Sequence, residues 1–205
     1  MTPVEEAEAR KARSQARITE HGLHDASGLP GVVADPSVRV RGKGEVVRRL
    51  YALMYVARAG EKGGKAGWRM GRVRRDAVFS RRETEFLSSV RPSKELCEAM
   101  ARRAEAGLAL FWALGWVASL NWPQNHVDAG NFYDVLAKAD ILKFVDRSNV
   151  RPLGELLDEG DLLRRLQAHL SSDAADASLD ETVVRQRLAA LTWLTSEAQW
   201  DDLAP

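Results

Sequence analysis

The densest set of groups able to do chemistry is the acidic run Glu155, Asp158, Glu159 and Asp161, followed at once by Arg164 and Arg165. Asp158 and Asp161 stand three apart, so on a helix they share a face, and Asp161 reaches Arg164 or Arg165 on the next turn. Paired carboxylates can bind a cation or act together as acid and base. With no ligand, the same residues make a solvated helix face with ion pairs along it. Asp201 and Asp202 beside Trp200 form a second acidic spot. Five of the six tryptophans (Trp112, Trp116, Trp122, Trp193 and Trp200) fall in the second half of the chain, as core residues or as walls of a ligand groove.

Other chemistry is sparse. His21 and His24 are three apart, but Gly22 lies between them and no cysteine is near, so no metal site is expected. Cys97 stands at core-like spacing from Met100 and Ala101 and reads as a buried, inert thiol. Gly60–Gly67 is superficially a phosphate loop, but Ala66 follows Lys65 where a P-loop needs Ser or Thr. No HExxH, CxxC, GxSxG or GxGxxG pattern occurs, and no cofactor is expected.

Charge is segregated. Residues 1–100 hold 20 basic against 13 acidic residues, a net +7, and residues 101–205 hold 10 against 16, a net −6. The excess lies between Arg58 and Arg82, with nine basic and two acidic residues. Gly60, Gly63, Gly64, Gly67 and Gly71 in the same window disfavour a continuous helix, so 58–82 is expected to be a mobile basic loop. Lys65, Arg69, Arg72, Arg74 and Arg75, with Trp68 for stacking, are its candidates for holding a nucleic acid.

The elements that would position these groups are helical. Glu45–Ala59 carries Val46, Val47, Leu50, Leu53, Met54 and Ala57 in helical rhythm. Further helices are expected over Val4–Glu20, from Ser80 to about Ser88 with Glu83 completing a capping box, over Asn131–Phe144, over Leu153–His169 and over Asp180–Thr195. Ser93 caps a helix expected to run over about 94–120, apolar nearly all round from Ala106 and so central to the fold. Trp112, Leu114, Trp116 and Leu191 are expected in one core. Val38–Arg41 is a possible short strand. The expected class is all-α, an irregular bundle around the 94–120 helix with little or no sheet.

The chain of 205 residues is 45% apolar and 29% charged with net charge +1, which excludes wholesale disorder. It is divided as a helix and loop over 1–43 and a single helical domain over 44–205. The longest apolar run, Gly107–Leu120, is too short to span a bilayer. The acidic, apolar-poor opening and the single cysteine point to the cytoplasm.

Taken in order, the segments resemble a family of uncharacterised, mainly bacterial proteins, DUF4272, from about Arg10 to Leu203. ARKARSQARITEHGL looks like the family's start, GEVVRRLYALMYVARAG like its first amphipathic helix and SRRETEFL like its LSPxExxFL element. RRAEAGLALFWALGWVASLNWP is similar to its WALG stretch, LGELLDEGDLLRRLQAHL to its ILDExDLxYRxHWA helix, and VVRQRLAALTWLTSEAQWDD to its WLxxxxxWDD ending. Here Arg164 replaces the family's Tyr, Ala168–His169 stands for its His-Trp, and Gln186–Arg187 for its Glu-Arg. The family has no assigned activity, so the resemblance implies a fold and no mechanism. Its matching polar positions (Glu105, Asp158, Asp161, Arg165, Arg187, Trp200 and Asp201) are expected either in one buried ion-pair network or in a site.

Three functions follow as expectations. The first is a module that binds a protein partner, in an immunity or stress setting, suited by the charge segregation. The second is an enzyme or small-ligand binder using Asp158, Asp161, Arg165, Arg187, Trp200 and Asp201. The third and weakest is nucleic-acid binding through the basic loop, disfavoured by a pI near 7.9.

Overall fold

The computed structural model describes residues 2–25, 27–34, 40–67, 70–171 and 178–203. They form α1 (Pro3–Glu20), α2 (Lys43–Glu61), α3 (Gly71–Asp76), α4 (Arg81–Ser88), α5 (Lys94–Ala101), α6 (Ala104–Ala113), α7 (Gly130–Lys138), α8 (Ile141–Arg147), α9 (Leu153–Leu170), α10 (Glu181–Leu194) and α11 (Trp200–Leu203). No strand occurs among the described residues, so the fold is all-α. Val38 and Arg39, in the expected strand, lie outside the described residues.

The helices pack in a continuous order, α1 on α9, α9 on α10, α10 on α6, α6 on α2 and α2 on α5, while α3, α4, α7 and α8 pack around the rest of α2. The hub is therefore α2. Its sequence predicts one apolar face, yet Val46, Val47, Leu50, Tyr51, Ala52, Leu53, Met54, Val56 and Ala57 are all fully buried, because neighbours cover it on nearly every side. At its C-terminal end α2 meets α5 backbone to backbone: a Cβ on Gly60 would lie 2.4 Å from the Cys97 carbonyl oxygen. Cys97 itself is buried in that contact.

The expected 94–120 helix is instead two shorter ones. Arg102 and Arg103 tighten to ψ values of −16° and −11° between α5 and α6, close to 3₁₀ geometry. The bend lets α5 follow α2 while α6 packs between α2 and α10. At the far end, Gly115 adopts a φ of 80°, with Gly115 N–H donating to Trp112 O and Trp116 N–H to Phe111 O. This is a Schellman stop, which uses the left-handed conformation that glycine adopts at no steric cost. The chain turns away there, so Trp112, Leu114 and Leu191 are buried but Trp116 is 38% exposed. Trp116 stacks on Phe144 at 4.4 Å and donates to Ser148 Oγ at 2.9 Å. Arg151 caps the freed carbonyls of Trp112, Val117 and Ala118.

Two further boundaries differ from the sequence reading. The single helix expected over 131–144 is α7 and α8, broken where Asp140 caps α8 by accepting from Leu142 and Lys143 N–H. The basic window 58–82 is not one loop. Its first residues finish α2, Gly71–Asp76 is helical around the buried Val73, and Arg81 and Arg82 open α4. The expected capping box at Ser80–Glu83 and the Ser93 cap are both present.

Candidate functional site

The sequence-predicted polar residues do not meet at one place. They divide among three.

Asp158, Asp161 and Arg165 on α9 lie under α1 and the chain that follows it. Asp158 accepts from Arg10 Nε at 2.9 Å and from Arg13 Nε and Nη2 at 2.9 and 2.8 Å, and Glu159 accepts from Arg17 at 2.6 Å. Asp161 accepts from Arg165 Nε at 2.7 Å and from Val32 N–H at 3.1 Å. Arg165 also donates to Asp25 Oδ2 at 2.9 Å and to the Leu29 and Pro30 carbonyls. Burial would lower the Arg165 pKa, and Asp161 and Asp25 more than offset it. Burial likewise pushes the Asp25 carboxyl up, but Ser27, Gln15 and Arg165 outweigh it and hold the pKa down at about 2. α1 has a thin apolar face, with Ala7 and Ile18 as its buried hydrophobic side chains. The ion pairs therefore clamp it, and they occupy the groups that a ligand would need.

Arg187 on α10 is in a second place. Its Nε and Nη2 pair with Glu105 Oε2 on α6 at 3.0 and 2.9 Å, and Nη1 donates to Asn121 O at 2.6 Å. Glu105 also accepts from Val127 N–H. This pair, 1–2% exposed, joins two core helices and the connection between α6 and α7.

Trp200 and Asp201 are in the third place, and here the geometry is open. A cleft of about 700 Å³ lies between the N-terminal half of α2, the start of α4, α8, and the turn from α10 into α11. The chain just before α2 supplies Arg41, α2 supplies Glu45, Arg48 and Arg49, and α8 supplies Ile141, Leu142 and Val145. Arg41 holds the α10–α11 turn by donating to Trp193 O at 2.7 Å and Ala198 O at 2.8 Å, with its guanidinium 4.4 Å from the Trp193 ring centre. Trp200 forms the inner wall between two more arginines, Arg49 at 4.7 Å and Arg103 at 5.7 Å from its ring. Arg49 and Arg103 share the fully buried carboxylate of Glu83.

Asp201 closes the inner end. Its Oδ2 accepts from Arg82 N–H at 3.2 Å. Burial would raise its pKa, but the Ser80 hydroxyl, the N–H groups at the start of α4 and the Arg103 charge hold it below its ordinary value. Burial lowers the Arg103 pKa against the pull of Glu83. Arg49 Nε, Arg103 Nη1, Trp200 Nε1 and Asp201 Oδ1 are buried without a hydrogen-bond partner among the described residues. Such groups cost stability, and they mark a place where polar chemistry is concentrated beyond what packing needs. At the mouth, Val78 is 57% and Leu142 77% exposed.

Sequence reading missed Arg49, Glu83 and Arg103. A signal existed: Arg49 stands in the apolar register of Val46, Leu50 and Leu53, where a cation must find a buried partner. The basic candidates Lys65, Arg72, Arg74 and Arg75 are exposed on and before α3, apart from the cleft, and Arg69 and Trp68 lie outside the described residues. No group of three or more His, Cys, Asp or Glu able to hold a metal occurs among the described residues. No described helix is long and apolar enough to cross a membrane.

No curated protein and no solved structure matches the chain. The model of the family described as a domain of unknown function, DUF4272, matches residues 10–203. That span opens at Arg10, the first arginine of the clamp, and ends at Leu203, the last residue of α11, so it takes in clamp, core pair and cleft alike, and the chain belongs to the DUF4272 family.

Proposed function

We propose that the chain is a protein-interaction module that works in the cytoplasm and docks its partner in the cleft beside Trp200. The observation that carries this reading is the mouth of the cleft, where exposed Val78 and Leu142 share a largely apolar lining with the exposed arginines Arg48 and Arg81. Exposed apolar residues grouped at a concave, polar-rimmed site mark a macromolecular contact more than a closed small-ligand pocket. The enzyme reading centred on Asp158, Asp161, Arg165 and Asp201 is disfavoured, because the first three are already bonded to α1 and the chain that follows it, while Asp201 lies apart from them, against the start of α4. Nucleic-acid binding is disfavoured as well: the exposed arginines of α3 sit on one six-residue helix in a chain of net charge +1.

The test is a photo-crosslinking residue placed at Leu142 and, in a separate variant, at Val90, which is even more exposed and lies outside the cleft lining. In extracts of the source cell, position 142 is expected to give one discrete adduct that position 90 does not. The same adducts from both positions, or none from 142, would refute the docking reading.

A further inference from the structure

We propose that the partner segment docked in this cleft is acidic and amphipathic, with carboxylates on either side of an apolar anchor. The inference rests on the docking reading above and adds the chemistry of the occupant. Its basis is charge complementarity, assigned residue by residue.

The cleft walls carry Arg41, Arg48, Arg49 and Arg81 against Glu45 and Asp201. The inner charges are committed. Arg41 pairs with Glu45 at 2.5 Å, Arg49 pairs with Glu83, and Asp201 is held by the start of α4. The outer ones are available. Arg48 is exposed and has no ion-pair partner among the described residues. The Arg81 side chain is 87% exposed, and its pairing with Glu85 one turn along α4 is a surface contact of little strength. The mouth therefore presents one guanidinium group with no ion pair among the described residues, Arg48 on α2, and one whose ion pair is solvent-exposed and weak, Arg81 on α4, with Val78 and Leu142 lining the same cleft.

A partner that fills the apolar part while leaving Arg48 and Arg81 unpaired would desolvate two cations for nothing, and a basic partner would be repelled. A segment with Asp or Glu beside a Leu-, Met- or aromatic-type anchor satisfies both demands, because arginine takes a carboxylate through two parallel N–H bonds. The cleft, about 700 Å³, has room for a few side chains and not for a whole domain surface, so the recognised unit is a short segment.

The test is selection of a random dodecapeptide display library on the whole protein, on Leu142→Glu, and on the double variant Arg48→Ala/Arg81→Ala. All three positions are exposed, so the variants leave the core intact. Thermal melts matching the wild type confirm this before selection. Peptides enriched on the wild type but not on Leu142→Glu are expected to carry Asp and Glu at twice the library frequency or more. Their affinity for the double variant should fall about tenfold, and added salt should remove most of that difference. Cleft-dependent peptides without acidic enrichment, or ones that bind the double variant equally well, would overturn the acidic-segment proposal and leave the docking reading standing. No cleft-dependent enrichment at all would overturn both. Displacement of the selected peptides by decanoate at equal concentration would assign the cleft to small amphiphilic acids instead.

Discussion

Replacing Asp161 with Asn separates a structural clamp from a ligand site. The substitution keeps the shape of the side chain and removes its charge. Asp161 and Arg165 are both 0% exposed. Their contact at 2.7 Å joins the N–H of Val32 and the carbonyls of Leu29 and Pro30 in one arrangement. Breaking a fully buried pair by neutralising one partner costs about 3–5 kcal/mol, chiefly because the other charge is stranded. Arg165 keeps Asp25 at 2.9 Å, and the Asn carbonyl can still accept one bond, which puts the expected loss at the low end, about 3 kcal/mol. For a chain of this length, 1 kcal/mol moves the melting temperature by about 2–4 °C, so a fall of about 6–12 °C is expected by circular dichroism or calorimetry. Protease sensitivity around residues 22–34 should rise in parallel, since the segment loses its anchor on α9. A variant that melts at or above the wild-type temperature would refute the argument, because stabilisation on removing a charge is the behaviour of a functional site.

The pH dependence of stability follows from Asp25, whose pKa is lowered from 3.8 to about 2 by Ser27, Gln15 and Arg165 against the opposing effect of burial. A depressed carboxylate stabilises the fold above its unfolded pKa and loses that contribution as pH falls through the folded value, so about 2 kcal/mol should disappear between pH ~4 and ~2. Asp25→Asn should flatten that part of the stability–pH curve, and an unchanged curve would show that Ser27, Gln15 and Arg165 together do not hold Asp25 below its ordinary value. Leu114→Ala should cost about 2–5 kcal/mol in denaturant melts, since Leu114 is 1% exposed; a loss below about 0.5 kcal/mol would show that the end of α6 is not core. Tyr51→Phe should be neutral or stabilising, because the Tyr51 hydroxyl is buried without a partner among the described residues and burial pushes its pKa up to about 12. A loss above about 1 kcal/mol on removing that hydroxyl would reveal a hydrogen bond absent from the structure.

Much of the local architecture was readable in the residues alone. The periodicity of Glu45–Ala59, the Ser80–Glu83 box and the Ser93 cap placed helices where they stand, because these signals act within one turn of the chain. The stop at Gly115 is equally local, but the apolar run continues past it and masks the boundary. The run reads as one helix, but after Gly115 its residues are largely exposed.

What tertiary structure alone decided was pairing over distance. The residue types around Asp161 announced an ion pair, and Arg165 four residues on was legible, but Asp25, Leu29 and Val32 lie more than a hundred residues away. By type Arg187 and Glu105 belong with that cluster, yet α10 carries Arg187 to α6, because one helix face can turn to only one neighbour. Trp200 and Asp201 stand out by type and spacing, but the arginines that make their surroundings a cleft do not. Arg49 stands on α2, Arg103 in the link between α5 and α6, and Glu83 on α4, and only folding brings two cations to one buried carboxylate. Sequence periodicity determines which side of each helix seeks cover, since burial of apolar area acts on every turn alike. Which charges then meet depends on the order in which those helices pack, and that order is a property of the whole chain.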